Sequence, residues 1–312
     1  STECEISHNE VFNNIRNQAD AACIYTGRSF SYQGNKIQYN LLYENVMFDY
    51  SSGLGSHAIA FDDWSSGGDV SHNIIYQGKK TGTVSGMGVG SRDTTACYNT
   101  TISSTLGNYA NYRDVPSVLN PTGFWSGTLK ELFKNTQKFD TENSKWSSKY
   151  SSYNRIIEDI NADGGYILPR NQTIIGNIGV DCVRNELYLE SEDIVNAPER
   201  NNVIRDNVTH DSLDIFVDPE HRDYRIKASA MKEYNFPEGL LNENNWDMNN
   251  MGVQDSVLQL EKPSGDFYKI YPRNGAKDIQ RNDVILKWEP AKYADEYYYT
   301  VATDSDLKNI VS

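Results

Sequence analysis

A short phrase recurs along this chain and limits what it can fold into. An apolar residue, two others and then Asn, usually followed by more β-formers, reads ISHNEV at Asn9, IQYNLL at Asn40, VSHNII at Asn73, ACYNTTI at Asn99, IIGNIGV at Asn177 and IRDNV at Asn207. The intervals are 31, 33, 26, 78 and 30 residues. Periods of this size belong to solenoids and propellers, and each unit is too strand-rich and helix-poor for a helical repeat. A propeller wants blades of four antiparallel strands with hairpin signals, and the chain carries no regular series of those. A right-handed parallel β-helix also explains the Asn. Its coils stack at the strand spacing, so Asn amides at one turn bond up and down the stack as a ladder. The expected fold class is therefore all-β, a right-handed parallel β-helix.

The long interval marks an insertion. From about 106 to 169 the sequence turns Tyr-rich. The spacing of Leu129, Leu132 and Phe133, then of Trp146, Tyr150, Tyr153, Ile156 and Ile157, predicts two short helices leaving one coil, as the wall of a groove or as a packing decoration. After Asn207 the repeats fade, and the stretch from about 212 to 252 is expected to cap an exposed end of the stack. Residues 253–265 read as a linker. From 266 to 312, strands expected near 284–288 and 297–302, the first ending on Trp288, resemble the first half of a fibronectin type III β-sandwich. That resemblance implies a spacer or accessory module. The chain opens and closes inside patterns, so it reads as part of a longer multi-domain protein with further coils and an export signal elsewhere.

The 312 residues suffice for a substantial core. A formal charge of −14 argues against nucleic acid, whose phosphates need a basic surface. No apolar run approaches the roughly 18 residues of a membrane span. The 21 Tyr and 5 Trp, with abundant Asn, Ser and Gly, suit stacking and hydrogen bonding to a polysaccharide or oligosaccharide, and equally suit strand faces and turns. Cys4, Cys23, Cys97 and Cys182 lie far apart without a CxxC pair; Cys4 and Cys23, each among alternating apolar residues, are expected as buried free thiols, with a Cys4–Cys23 pair open under oxidising conditions. No HExxH and no EF-hand pattern occurs, so no metal ligand and no cofactor is assigned, calcium remaining a candidate at any cluster of acids.

The strand that runs into SHAIAFDDWSSG carries adjacent carboxylates at its end, Asp62 and Asp63, followed by Trp64. Stacking the coils by pattern sets Ile24, Ile59 and Val89 in one inward column. Gly27, Asp62 and Arg92 then form a second column, and Arg28, Asp63 and Asp93 a third. Coils about 4.8 Å apart bring carboxylates on neighbouring coils near the roughly 5 Å separation of a retaining glycosidase. Asp62 and Asp63 are expected as acid and as base or nucleophile, with Asp20 as the alternate second carboxylate. Arg28 and Arg92, beside Asp93, would hold the acids or bind substrate oxygens, and Tyr25 and Trp64 would offer ring faces to a sugar. The competing reading is an Arg/Asp ladder that only stitches coils together.

The runs DAACIYTGRSFSYQGNKIQYNLLYENV and HAIAFDDWSSGGDVSHNIIYQG, the following GVGSRDTTACYNTTI, the W-x-x-K-Y segment at Trp146 to Tyr150 and the phrase at Asn177 resemble the right-handed β-helix proteins grouped as glycoside hydrolase family 141. The resemblance covers roughly residues 1 to 252. It implies a secreted or cell-surface bacterial enzyme acting on plant cell-wall glycans, fucosidase- or xylanase-like, with aspartates as catalytic residues. Two alternatives stay open at this point. One is a polysaccharide lyase on the same architecture, which needs a Lys or Arg base beside a calcium-neutralised uronate. The other is a non-catalytic cell-surface glycan-binding or adhesion protein.

Overall fold

The structure, a computed structural model, describes residues 2–12, 14–15, 21–27, 29–43, 56–62, 65–76, 84–88, 92–104, 144–163, 168–182, 196–251, 269–271, 286–288, 300–304 and 306–311. The chain divides into two compact units, Ser1–Gly252 and Val253–Ser312.

The first unit is mostly β, with stacked parallel sheets and few helices. The chain returns again and again past the same points. Its first pass carries β1 (Glu5–Ser7), β2 (Glu10–Phe12) and β3 (Ala22–Gly27), its second β4 (Asn35–Gln38), β5 (Leu41–Tyr43) and β6 (Ser56–Asp62). The third carries β7 (Gly68–Ser71), β8 (Ile74–Tyr76) and β9 (Val84–Gly88). Later passes add the pairs β10 (Thr95–Cys97) and β11 (Thr100–Ile102), β12 (Thr173–Ile175) and β13 (Ile178–Val180), β14 (Val203–Arg205) and β15 (Val208–His210). Sheet 1 has the order β1-β4-β7-β10-β12-β14, sheet 2 the order β2-β5-β8-β11-β13-β15, and sheet 3 the order β3-β6-β9. The strands within each pair in parallel.

The recurring Asn lies in the two-residue turn between sheets 1 and 2. In each turn the residue before it takes a left-handed backbone: His8, Tyr39, His72, Tyr98, Gly176 and Asp206 all have φ between 55° and 67°. Such a φ is uncommon outside Gly, Asn and Asp, and here the aromatic residues at it contact one another, stacked from His8 to His72 and tilted at Tyr98. Ring centroids stand 5.2 Å apart for His8–Tyr39, 4.9 Å for Tyr39–His72 and 5.4 Å for His72–Tyr98. The Asn side chains form the expected ladder. Each Nδ2 donates to the next Oδ1, from Asn9 to Asn40, Asn73, Asn99 and Asn177 at 2.9 Å per step, then to Asn207 at 2.8 Å. The same Nδ2 of Asn73 also donates to the Ile37 carbonyl at 2.8 Å, so each rung ties neighbouring passes together through side chain and backbone alike.

Alternation along the strands sorts the apolar residues into two cores. Ile24, Ile37, Leu42, Ile59, Val70, Ile75 and Met87 fill the space between the sheets. Leu41, Tyr43, Ile74, Ile102, Ile178 and Val180 point from the other face of sheet 2 and meet the segment that follows β15. That segment holds a hairpin of β16 (Phe216–Asp218) and β17 (Asp223–Ile226), then a short helix, Ala228–Glu233. It contributes Ile215, Phe216, Tyr224, Ile226, Leu240, Leu241 and Trp246 to the second core. The expected cap is thus spread along the outer face of sheet 2, reaching back to Tyr43, because that face is apolar and must be covered. At about 1.5–3 kcal/mol per large side chain buried, this layer is a major part of the unit's stability.

The second of the two expected helical stretches, 146–157, is split into two helices, α1 (Ser144–Lys149) and α2 (Ile156–Ala162), with a 3-10 turn, Tyr153–Arg155, between them. Tyr153, Ile156 and Ile160 form their buried stripe. Leu129, Leu132 and Phe133 lie outside the described residues. At the α1 end, Tyr150 donates to Glu3 at 2.6 Å and Lys149 pairs with the same carboxylate. Both hydrogen bonds hold Glu3 below its usual carboxylate range.

In the second unit β18 (Lys269–Tyr271) pairs antiparallel with β19 (Lys287–Trp288), and Ala302 bridges antiparallel to Ile310. Of the strand expected near 284–288, Lys287 and Trp288 are strand and Leu286 is not; of the one expected near 297–302, the described residues hold only the bridge at Ala302.

Candidate functional site

At the end of β6 the expected register with β3 is present: Ile24 pairs with Ile59, Tyr25 with Ala60 and Gly27 with Asp62. Ile59 faces the core, so Ala60 and Asp62 alternate in the same outward sense as Tyr25 and Gly27. The Tyr25 hydroxyl donates to Asp62 Oδ2 at 2.5 Å. Gly27 makes this reach possible, since a Cβ there would lie 2.7 Å from the Tyr25 hydroxyl oxygen. Tyr25 remains 51% exposed. The Asp62 carbonyl accepts from the Ser65 N–H at 2.9 Å, which ties the strand end to the corner that follows. Asp62 is thus an oriented, half-buried carboxylate with a phenol on one oxygen, beside small residues, Ala60 and its partner Gly88.

The third row differs from expectation. Ile59 pairs with Met87, not Val89, so β9 is offset by two residues from the predicted alignment. A slip of two keeps every side chain on its own face, and alternation in VSGMGVG cannot detect it. Arg92 and Asp93 consequently fall beyond β9, outside the column of Asp62. Arg92 bridges Ser66 on one side and Arg170 on the other, at the corner leading into sheet 1.

That corner is built of charge. Arg92, only 2% exposed, donates to Asp159 at 2.7 Å and to Asp93 at 3.1 Å. Arg170 lies 3.6 Å from Asp159 and 3.4 Å from Asp163, and Arg200 pairs with Asp163. Asp159 and Asp163 stand one turn apart at the end of α2, so the helix presents both to the guanidinium column. Beside it the residues with left-handed backbones form a second ladder, Asn171 donating to Asp93 at 2.8 Å and Asn201 to Asn171 at 3.1 Å. Three guanidinium groups of the corner meet three carboxylates, and the exposed Arg155 adds a fourth at 3.8 Å from Asp159, so the charges are paired where desolvation is costly. The competing sequence reading, an Arg/Asp ladder stitching coils, describes this corner: Arg92 and Asp93 hold α2 against the coils, with their charged groups committed to one another.

Arg170, Arg200, Asp159 and Asp163 escaped the sequence reading. A signal for the two arginines existed: Arg92, Arg170 and Arg200 each stand seven residues before a ladder Asn, followed by Asp or Asn. Between α2 and the corner a cleft of about 510 Å³ opens, walled by Ser151, Ser152, Arg155, Asn171, Glu199 and Asn201. Asp20, Arg28, Asp63 and Trp64 lie outside the described residues. Among the described residues no three His, Cys, Asp or Glu converge as a metal-binding group, and no helix is long and apolar enough to cross a membrane.

Compared with protein-family models, with curated proteins and with solved structures, the chain matches none.

Proposed function

We propose that residues 1–252 form a right-handed parallel β-helix that hydrolyses glycosidic bonds in plant cell-wall or related polysaccharide, in the manner of glycoside hydrolase family 141. The observation that carries this reading is the hydrogen bond from Tyr25 to Asp62 on the outward side of sheet 3. A carboxylate held by a phenol at a strand end, open enough to meet solvent, is suited to act on a glycosidic bond as acid, base or nucleophile. Asp63, or Asp20 in its place, supplies the second carboxylate. Arg28 and Trp64 contact the sugar, and Tyr25 orients Asp62 while its exposed ring edge borders the substrate. Arg92 and Asp93 fix the corner on which this strand end rests. The protein is secreted or displayed on a bacterial cell surface, and the 253–312 unit serves as a fibronectin type III-like accessory module.

The lyase alternative asks Arg92 to serve as base, and its burial against Asp159 weighs against that. The test is turnover on a panel of xylans and fucosylated glycans by D62N and Y25F, alongside the unaltered chain. D62N is expected to lose about 10³-fold or more in kcat and Y25F about 10- to 100-fold, at unchanged far-UV circular dichroism. Full activity of D62N overturns the reading. An unsaturated product absorbing in the ultraviolet assigns the lyase instead.

A further inference from the structure

The cleft of about 510 Å³ between α2 and the charged corner holds a carboxylate oxygen to which no described residue donates. Asp159 is only 7% exposed and lines the cleft. Its Oδ2 accepts from Arg92 at 2.7 Å and lies 3.6 Å from Arg170 Nε. Its Oδ1 has only Arg155 near it, with Nη2 at 3.8 Å, beyond hydrogen-bonding distance, while Arg155 Nε lies 4.0 Å from Glu158. A carboxylate oxygen so little exposed calls for a donor, and the cleft is where one can enter. The remaining lining is polar. Ser152 precedes the 3-10 turn without its side chain capping it, and Asn201 donates through Nδ2 to Asn171 at 3.1 Å, which leaves its Oδ1 as an acceptor. No aromatic residue is among the described residues that line the cleft.

The charges of the lining choose among occupants. Arg155 and Arg170 are matched by Asp159 and Glu199, so the lining carries no net charge. An anion entering here meets the open oxygen of Asp159 and the exposed Glu199, and a cation meets the two guanidinium groups. A hydroxyl suits both, because it donates to a carboxylate and accepts from a cationic N–H or a serine. The fit is therefore to a neutral, hydroxyl-rich molecule held by hydrogen bonds and not by ring stacking. Its place in the stack gives the cleft a role. Ser66, Arg92 and Arg170 are bridged in parallel, and the Asn171 N–H donates to the Arg200 carbonyl, so these passes succeed one another at one corner. Asp62, the last residue of β6, enters the same corner four residues before Ser66. The cleft is built on the passes of Arg170 and Arg200, and at about 4.8 Å per pass it lies about 10–14 Å along the stack from Ser66. Each such step is close to the length of one unit in a β-linked glycan.

We infer that this cleft is a distal subsite of the glycan site at Asp62, taking through its hydroxyls a neutral sugar about two or three units from the bond cleaved. The glycan then lies along the corner, parallel to the stack, and the inserted α2 is the wall of its groove. The inference rests on the proposed hydrolase reading and extends it from the bond to the length of glycan recognised. The experiment is isothermal titration of the whole chain carrying D62N with xylobiose, xylohexaose, cellohexaose and an oligogalacturonate. It is repeated with S152A and R155Q added together. Neither side chain makes a hydrogen bond to a described residue, so the fold is kept, as unchanged far-UV circular dichroism checks. A neutral hexamer is expected to bind one molecule per chain, about tenfold or more tighter than xylobiose, and the two added substitutions to weaken it by about tenfold. Hexamer affinity within about twofold after both substitutions, two hexamers bound per chain, no binding of either hexamer, or tighter binding of the oligogalacturonate overturns the inference. Full turnover by D62N on the glycan panel, together with hexamer binding lost through S152A and R155Q, overturns the hydrolase reading alone.

Discussion

Arg92 and Asp159 are separated by 67 residues of sequence and joined by a 2.7 Å hydrogen bond between buried groups. Because Asp159 belongs to α2 and Arg92 to the corner of the coils, this contact fastens the insertion to the stack. Removing one member leaves an uncompensated charge, and such losses cost about 3–5 kcal/mol, whereas replacing the pair by apolar groups of similar volume is often neutral. D159N is therefore expected to lower stability by about 3 kcal/mol or more, and R92M with D159L to recover much of it. Denaturant unfolding of the single and double variants measures the difference.

Asn73 accepts from both the backbone N–H and the Nδ2 of Asn40, and donates to Ile37, Ser71 and Asn99. N73A leaves several of these groups buried and unpaired, each at about 1–3 kcal/mol. Asn9 is exposed, and its side chain donates to the Ser7 carbonyl and to Asn40, the first rung. N73A is expected to destabilise by at least about 3 kcal/mol and N9A by under about 1 kcal/mol, read from urea midpoints. Equal effects would mean that the ladder does not act through buried partners.

The ladder was legible in the sequence because it needs one residue type at one point in every pass, and spacing alone reveals that. The register of β3 on β6 was legible because Ile24 and Ile59 each precede a turn in the same way. The offset of β9 was not, since a slip of two leaves the inside–outside pattern untouched. Reading the Asn phrase seven residues further upstream would have placed Arg92 with Arg170 and Arg200, at the corner and not beside Asp62. The cover on sheet 2 also had a signal. Leu41, Leu42 and Tyr43 run apolar without alternation, which marks a strand buried on both faces. Asp159 and Asp163 had none, because no local spacing says that α2 folds back onto Arg92, Arg170 and Arg200.

Gly27 and Gly67 make contrasting demands. A Cβ at Gly27 meets the far end of Tyr25, a flexible side chain. G27A is expected to cost under about 1 kcal/mol in stability. It swings Tyr25 off Asp62, so turnover falls as it does in Y25F, and G27A adds nothing further in a Y25F background. Gly67 has φ of +71°, and a Cβ there would sit 1.7 Å from Gln33 Oε1, in a buried side chain that also bonds Phe30 and Ser66. G67A is expected to destabilise by more than about 2 kcal/mol, since backbone strain and displacement of a buried amide act together. Thermal melts of the two glycine variants, beside the kinetics of G27A and Y25F, separate a site effect from a fold effect.

The four thiols are free but not equivalent. Cys4 is exposed, contrary to the expectation that it is buried, because it lies on β1's approach at an outer strand of sheet 1. Cys182 is buried, and burial pushes the Cys23 thiol from 9.0 up to about 12. The thiolate is the reactive form, so iodoacetamide at pH 8 is expected to label Cys4 first and leave Cys23 and Cys182 unmodified in the folded chain, as peptide mass spectrometry reads directly. The same shift sets a pH dependence. Above pH 9 the unfolded chain releases the Cys23 proton while the folded chain keeps it, so stability present below pH 9 is lost as the pH rises toward 12. The loss runs at up to about 1.4 kcal/mol per pH unit. C23V removes the titrating group from both states, and its stability should fall less steeply than that of the unaltered chain over this window. Parallel slopes for the two proteins would assign the alkaline loss to other groups.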